Sequence, residues 1–361
     1  MGIALVSFFF ILGKFARKSK VITILILILM WILLAFNTMS PDGETYRTSY
    51  NNFAQLGNHY EPLYTIFILY AHKVNFSFDI FRAVYSFLIV YFTYLGCKKF
   101  TEFTTIALSN YLVTFFIWYI SGMRIALAIA ITMYAVSFLL SENKRALFSF
   151  CFFLFLAVMI HYSCALFYLL LLARQKEIKW KRFALIFIFV CVVTIVVLKT
   201  NVLFSLVTKF TNREKTTSWF VNDQSAAGRS TLVGLVTSLT LIFGNVFVSY
   251  YAKCYTIRNI EATSKDRYRA IFIYNANCTM LLLIPLIFLN INFMRIYVGM
   301  SVITLFGITT VMNQSRKQIS QKFTYTLLDG MAFAWLLYYF LLYNIDKRVL
   351  DMISNNKLFL F

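Results

Sequence analysis

The feature that most constrains this chain is a succession of apolar runs, each closed by a short basic or polar break. The runs lie near 2–13, 21–37, 79–96, 104–120, 124–140, 146–160, 162–173, 183–199, 231–252, 270–290, 293–311 and 325–343. A helix that crosses a bilayer needs roughly 20 apolar residues, within a range of about 17–25. Backbone inside lipid must satisfy its own hydrogen bonds, so continuous runs of this kind read as helices. A β-barrel needs short segments of alternating polarity, and that alternation is missing. The expectation is an all-α polytopic integral membrane protein of about 11–13 transmembrane helices. Composition agrees: 60% of residues are hydrophobic and 13% charged, against about 45–50% and about 25% in soluble domains. No second domain is visible, so 1–361 reads as a single transmembrane domain.

One further stretch, 62–76, is interrupted by His72, Lys73 and Asn75. It reads as a short re-entrant or interfacial helix. Orientation follows from lysine and arginine, which favour cytoplasmic connections. With the basic turn at 14–20 inside, alternation places 97–103, 141–145, 174–182, 253–269 and 312–324 inside as well. Those six stretches hold 21 Lys/Arg, whereas the outside stretches hold 11. Counting 62–76 as a full span reverses every later connection and destroys this bias. The longest loops, 38–61 and 200–230, then lie outside. The first run precedes its charges (Lys14, Arg17, Lys18, Lys20), the reverse of a signal peptide, and is expected to be a first membrane segment.

The net charge of +20 does not point to nucleic acid, because it is divided among these short clusters and forms no basic tail or Arg-rich helix. The six cysteines show neither CxxC nor metal-ligand spacing and are expected as free buried thiols. No GxGxxG, GxxxxGK[ST] or HExxH motif is present, so no cofactor and no metal is expected. Inverted repeats with paired broken helices, a mark of many secondary transporters, are missing too.

Ionisable groups at membrane depth are costly and are functional candidates by default. The topology gathers them on the outer side. Asp42, Glu44 and Tyr46 lie in loop 38–61, with Glu61 before Pro62. Arg124 follows Ser121-Gly122-Met123, a polar break between two apolar runs, and His161 with Tyr162 occupies a second break. Arg295 lies in Asn290-Ile291-Asn292-Phe293-Met294-Arg295, two residues before Tyr297. Arg229 closes loop 200–230, where Trp219 and Phe220 stand beside charges. Each has a structural explanation: an arginine can snorkel to the interface, a histidine can tie two helices, an acid in an outer loop is ordinary. Together they suit an anionic, hydroxyl-rich substrate. Arginine is the side chain for bidentate phosphate recognition, so Arg124 and Arg295 could grip a pyrophosphate without a metal. A carboxylate or histidine can take a hydroxyl proton, and guanidinium groups can stabilise a phosphate leaving group. A DxD sugar-nucleotide motif is missing, so glycosyl transfer here calls for a lipid-linked donor.

The order of these motifs resembles the EpsG family of Wzy-type polysaccharide polymerases. Asp42-x-x-x-Tyr46 is followed by Glu61-Pro62, then Arg124-Ile125-Ala126-Leu127-Ala128, then His161-Tyr162-Ser163-Cys164, and late in the chain Arg295 with Tyr297. The resemblance is fullest over 38–170. Pro41 and Ile125 stand where the family often has Gly and Gln. The resemblance implies a bacterial inner-membrane enzyme, compatible with a GT-C-like arrangement, that joins polyprenyl-pyrophosphate-linked repeat units on the outer face. By that implication Arg124 and Arg295 bind the donor pyrophosphate. Asp42 or Glu61 activates the acceptor hydroxyl and His161 assists, with Tyr46, Tyr162, Arg229 and Tyr297 as weaker substrate contacts. Expected partners are the lipid-linked oligosaccharide, the bilayer, a flippase and a chain-length regulator. A lipid-linked oligosaccharide flippase and a membrane glycan acyltransferase are the alternatives. A flippase needs charges along a cavity open to both sides, and an acyltransferase needs a cytoplasmic acyl donor.

Overall fold

A computed structural model describes residues 2–38, 40, 42–53, 60–141, 143–174, 178, 180–200, 227–260, 262–289, 293–314 and 356. Among them every regular element is helical. In chain order these are α1 (Gly2–Phe15), α2 (Lys20–Ala35), α3 (Gly43–Asn51), α4 (Pro62–Lys73), α5 (Phe78–Phe100), α6 (Thr104–Val113), α7 (Phe116–Ser121), α8 (Met123–Phe138) and α9 (Lys144–Ile160). A tightly wound 3₁₀ segment, Tyr162–Arg174, leads to α10 (Trp180–Thr200), α11 (Ala227–Arg258) and α12 (Ser264–Met280), followed by α13 (Ile284–Leu289) and α14 (Met294–Gln314). The expected run at 325–343 and most of loop 200–230 lie outside the described residues.

Among the described residues two stretches, Phe78–Phe100 and Ser264–Ile287, are long and apolar enough to cross a bilayer, and seven shorter helices are apolar. Several carry large apolar side chains outward at helical spacing. Phe8, Ile11 and Phe15 on α1, Phe148, Phe152 and Phe155 on α9, and Leu185, Ile188, Phe189 and Val192 on α10 are exposed. Stripes repeating every three or four residues on an outer surface suit lipid as the solvent. The 3₁₀ segment shows the matching three-residue period: Cys164, Phe167, Leu170 and Ala173 form its buried column. All six cysteines are free thiols.

The chain divides into two compact units, residues 1–168 with 302–361, and residues 169–301. In the second unit α11 packs on α12, and α10 on the bend Leu281–Leu289. In the first unit α8 is the central helix, buried on nearly every face and packed between α5 and α9. Its alanines allow close approach: a Cβ on Gly96 of α5 would stand 3.3 Å from the Met133 Cβ. Small residues at such contacts serve helix association where no hydrophobic drive separates lipid from protein.

Contacts define two ends in the first unit. At one end Ser19, Thr23, Thr101, Thr105 and Thr310 hydrogen-bond across α2, α6 and α14, and Lys18 pairs with Glu102 at 2.8 Å. At the other end the Arg82 guanidinium donates to the carbonyls of Leu34 and Asn37. Those carbonyls close α2, where helical acceptors run out, so Arg82 acts as a cap supplied by a neighbouring helix. Asn356 joins the same knot, bridging to Asn37 and donating to the Ile32 carbonyl at 2.9 Å. Helix α5 has 23 residues, which sets the separation of the ends at ~34 Å.

Helix α4 does not connect the two ends. Its 12 residues extend only ~18 Å. It begins at Glu61 and finishes beside Tyr50, whose carbonyl meets His72 Nε2 at 2.9 Å and whose hydroxyl donates to the Phe76 carbonyl at 2.7 Å. Both flanks therefore lie at the Arg82 end. The run 104–120, read as one span, is broken into α6 and α7 at Thr114. There the Thr114 hydroxyl takes the Asn110 carbonyl at 2.8 Å, a local bond that competes with helix continuation.

Candidate functional site

Arg124 owes its position to the break before it. Helix α7 stops at Ser121, Gly122 turns the chain at φ −113° and ψ 83°, and α8 starts at Met123. A Cβ on Gly122 would lie 2.8 Å from Ile125 Cγ2, so only glycine fits without movement of that side chain. Arg124 is consequently the second residue of a helix locked in the centre of the unit. A cation at a helix N-terminus opposes the macrodipole, and the compensation is specific. Arg124 Nη1 donates to Glu61 Oε2 at 2.6 Å, with the two side chains 24% and 10% exposed.

Three tyrosines from two elements and a connecting segment surround the guanidinium. Its central carbon lies 4.6 Å from the ring centroid of Tyr60, 5.6 Å from Tyr64 and 5.9 Å from Tyr46, within the ~6 Å reach of a cation–π contact. A side-chain hydrogen bond also links Arg124 to Tyr46. Tyr46 and Tyr60 each meet Tyr64 edge-on, with centroids 6.4 and 5.2 Å apart. Arg124 is thus held by a carboxylate and aromatic faces, while its Nε is buried and has no hydrogen-bond partner. The Nε side of the fork is the edge that pairs with phosphate when one terminal nitrogen is occupied. The first-turn N–H groups of α8 are likewise left without intrahelical acceptors at the helix start. Glu61 cancels the arginine's charge at long range, so an anion at this point would be met by directed donors more than by electrostatic steering.

Asp42 stands beside this cluster. It is exposed at the start of α3 and makes no side-chain cap bond, while its carbonyl accepts from the Tyr46 N–H at 2.9 Å. Two residues earlier the Ser40 hydroxyl donates to the Ser121 carbonyl at 3.3 Å, tying this turn to the break that presents Arg124. His161 ends α9, which packs against both α4 and α8. Its Nδ1 lies 2.8 Å from the Ser163 hydroxyl, and Tyr162 beside it is exposed. Farther along α3, burial of the Tyr50 ring against His72, at a centroid distance of 4.4 Å, raises the phenol pKa above its ordinary value.

Sequence reasoning therefore selected residues that the structure brings together: Asp42, Tyr46, Glu61 and Arg124, with His161 on an adjoining helix. Arg295 and Tyr297 belong to the second unit. Arg295 is half-buried near the start of α14, and the buried Tyr297 hydroxyl donates to the Met280 carbonyl at 3.2 Å. Arg229 lies in the first turn of α11, and its side chain is outside the described residues. Tyr60 and Tyr64 were not anticipated. The available signal was their spacing around Glu61-Pro62, where proline at the first helical position sets both rings beside the carboxylate.

Residues 20–352 match the sequence profile of the EpsG family. The chain belongs to the EpsG family. Wzy-type polysaccharide polymerases are the known kind of protein in this family, and the match covers both units. Neither the curated proteins nor the solved structures contain a match to the chain.

Proposed function

We propose that this EpsG-family chain is a bacterial surface-polysaccharide polymerase. It moves a growing glycan from its polyprenyl-pyrophosphate carrier to the next lipid-linked repeat unit. The single observation that carries the reading is the Arg124–Glu61 pair inside its tyrosine ring, at one end of the helical unit. In this reading the membrane is the inner membrane and the Arg124 end faces outward. Support comes from the charge bias of the connections, since Lys18 precedes α2, Lys98 and Lys99 end α5 and Arg145 opens α9, away from the Arg124 end.

The geometry around Arg124 supports the following roles. Arg124 offers its Nε edge to a diphosphate oxygen and stabilises the charge that develops as the carrier leaves. Glu61 holds the guanidinium in position. Asp42, which makes no side-chain cap bond and lies two residues from the Ser40–Ser121 contact, takes the acceptor proton in this reading. Tyr46 and Tyr60 offer faces for sugar rings, and His161 orients substrate. Chain-length control by a separate regulator fits the same scheme.

The test is surface-glycan size on a gel in a deletion strain, with lipid-linked intermediates extracted in parallel. Single repeat units at the surface with long chains lost support polymerisation. Repeat units trapped on their lipid at the cytoplasmic face indicate flipping instead, and normal chain length removes the polymerase reading.

A further inference from the structure

Tyr85 has no part in the roles above, yet it is placed among them. It lies two turns into α5, is 2% exposed, and its hydroxyl is buried without a hydrogen-bond partner. Buried phenols normally find an acceptor, because an orphaned polar group in an apolar interior is costly. The Tyr85 ring stands edge-on to Tyr64 with centroids 5.6 Å apart, and Tyr64 is one of the three rings that face Arg124. Tyr85 also lies within the electrostatic reach of Arg124, Glu61 and Tyr46. Arg124 Nε is the second orphan of this cluster.

Both orphans can donate, and Glu61 Oε2 is already engaged by Nη1. What the cluster lacks is an acceptor. A sugar hydroxyl fills that need less well, since it is a neutral acceptor and brings a proton of its own that needs a further partner. A phosphate oxygen brings none and accepts several bonds at once. We infer that Tyr85 and Arg124 Nε bind the same diphosphate group of the donor lipid, which makes Tyr85 a substrate-binding residue buried beneath the tyrosine ring. The inference rests on the proposal that Arg124 receives a lipid-linked diphosphate. It adds a residue that lies in the middle of an apolar helix and resembles lipid-facing aromatic sequence.

The experiment measures binding of inorganic pyrophosphate and of farnesyl diphosphate to the full-length protein in nanodiscs. Wild type, Tyr85→Phe and Tyr119→Phe are compared. Tyr119 is the control because its hydroxyl is also buried without a partner, but its neighbours are Tyr111 and Cys164. Loss of one charge-assisted hydrogen bond predicts an affinity lower by about ten- to hundredfold for both probes in Tyr85→Phe. Thermal stability should stay at or above wild type, and Tyr119→Phe should bind normally. Wild-type affinity in Tyr85→Phe overturns the inference and leaves the Arg124 reading standing. Failure of the wild-type protein to bind either probe overturns the diphosphate reading itself, and the inference with it. An equal loss in Tyr119→Phe also overturns the inference, because the effect is then not local to the Arg124 cluster.

Discussion

Replacing Glu61 by Gln separates two roles for a carboxylate that sits 2.6 Å from Arg124 Nη1. Glutamine has the same shape, and its carbonyl oxygen still accepts from Nη1. What disappears is the charge. The Nη1 bond keeps the arginine's charge and loses the carboxylate's, and the ionic part of such a pair contributes about 1–1.5 kcal/mol. Partial exposure of Arg124 lowers this to about 1 kcal/mol, because solvent screens the ionic part. That corresponds to roughly a fivefold fall in the population of correctly held Arg124. A general base instead contributes about 10²–10⁴-fold to a rate, and the two ranges do not overlap. The assay is the initial rate of polymer formation by membranes supplied with lipid-linked repeat units, normalised to protein level. A fall of about fivefold agrees with Glu61 as the holder of Arg124. A fall of a hundredfold or more refutes that assignment and makes Glu61 the proton acceptor, and an unchanged rate shows that the ion pair holds nothing the reaction needs.

Other perturbations follow from the same geometry. Asp42→Asn should lower the polymerisation rate by about a hundredfold or more with protein level intact, since the side chain is exposed and caps no helix. Arg82→Met leaves the Leu34 and Asn37 carbonyls without their shared donor. At about 1–3 kcal/mol for each orphaned buried group, protein abundance in membranes should fall sharply, as quantitative blotting will show. Gly13→Ala drives a Cβ into the Ser109 side chain and should lower the melting temperature, while Ser109→Gly in the same chain should restore it.

Much of the helical order was legible because apolar runs and basic breaks are both dictated by the bilayer. The helices Gly2–Phe15, Lys20–Ala35 and Lys144–Ile160 lie within a few residues of runs visible in the sequence. Helix α4 was legible as an exception, because His72 and Lys73 interrupt its run. The break at Thr114 was not, since a threonine hydroxyl bonding back to Asn110 changes no hydropathy. Within the site, Arg124 and Glu61 could be singled out because charge near a membrane is expensive. Tyr85 could not, because tyrosine is ordinary in apolar helices and only packing shows that its hydroxyl lacks a partner. Arg82 illustrates the converse. Its charge in an apolar run marks it as special, and the structure assigns it to capping α2 at the end where Arg124 stands.

Arg124→Lys tests the central claim most directly, because lysine keeps a positive partner for Glu61 but has neither the fork nor the Nε donor. The measurement is surface-polysaccharide length, with lipid-linked intermediates and protein level, in a strain whose only copy carries this substitution. The account predicts single repeat units at the surface, loss of long chains and normal protein abundance. Wild-type chain length at wild-type abundance contradicts it.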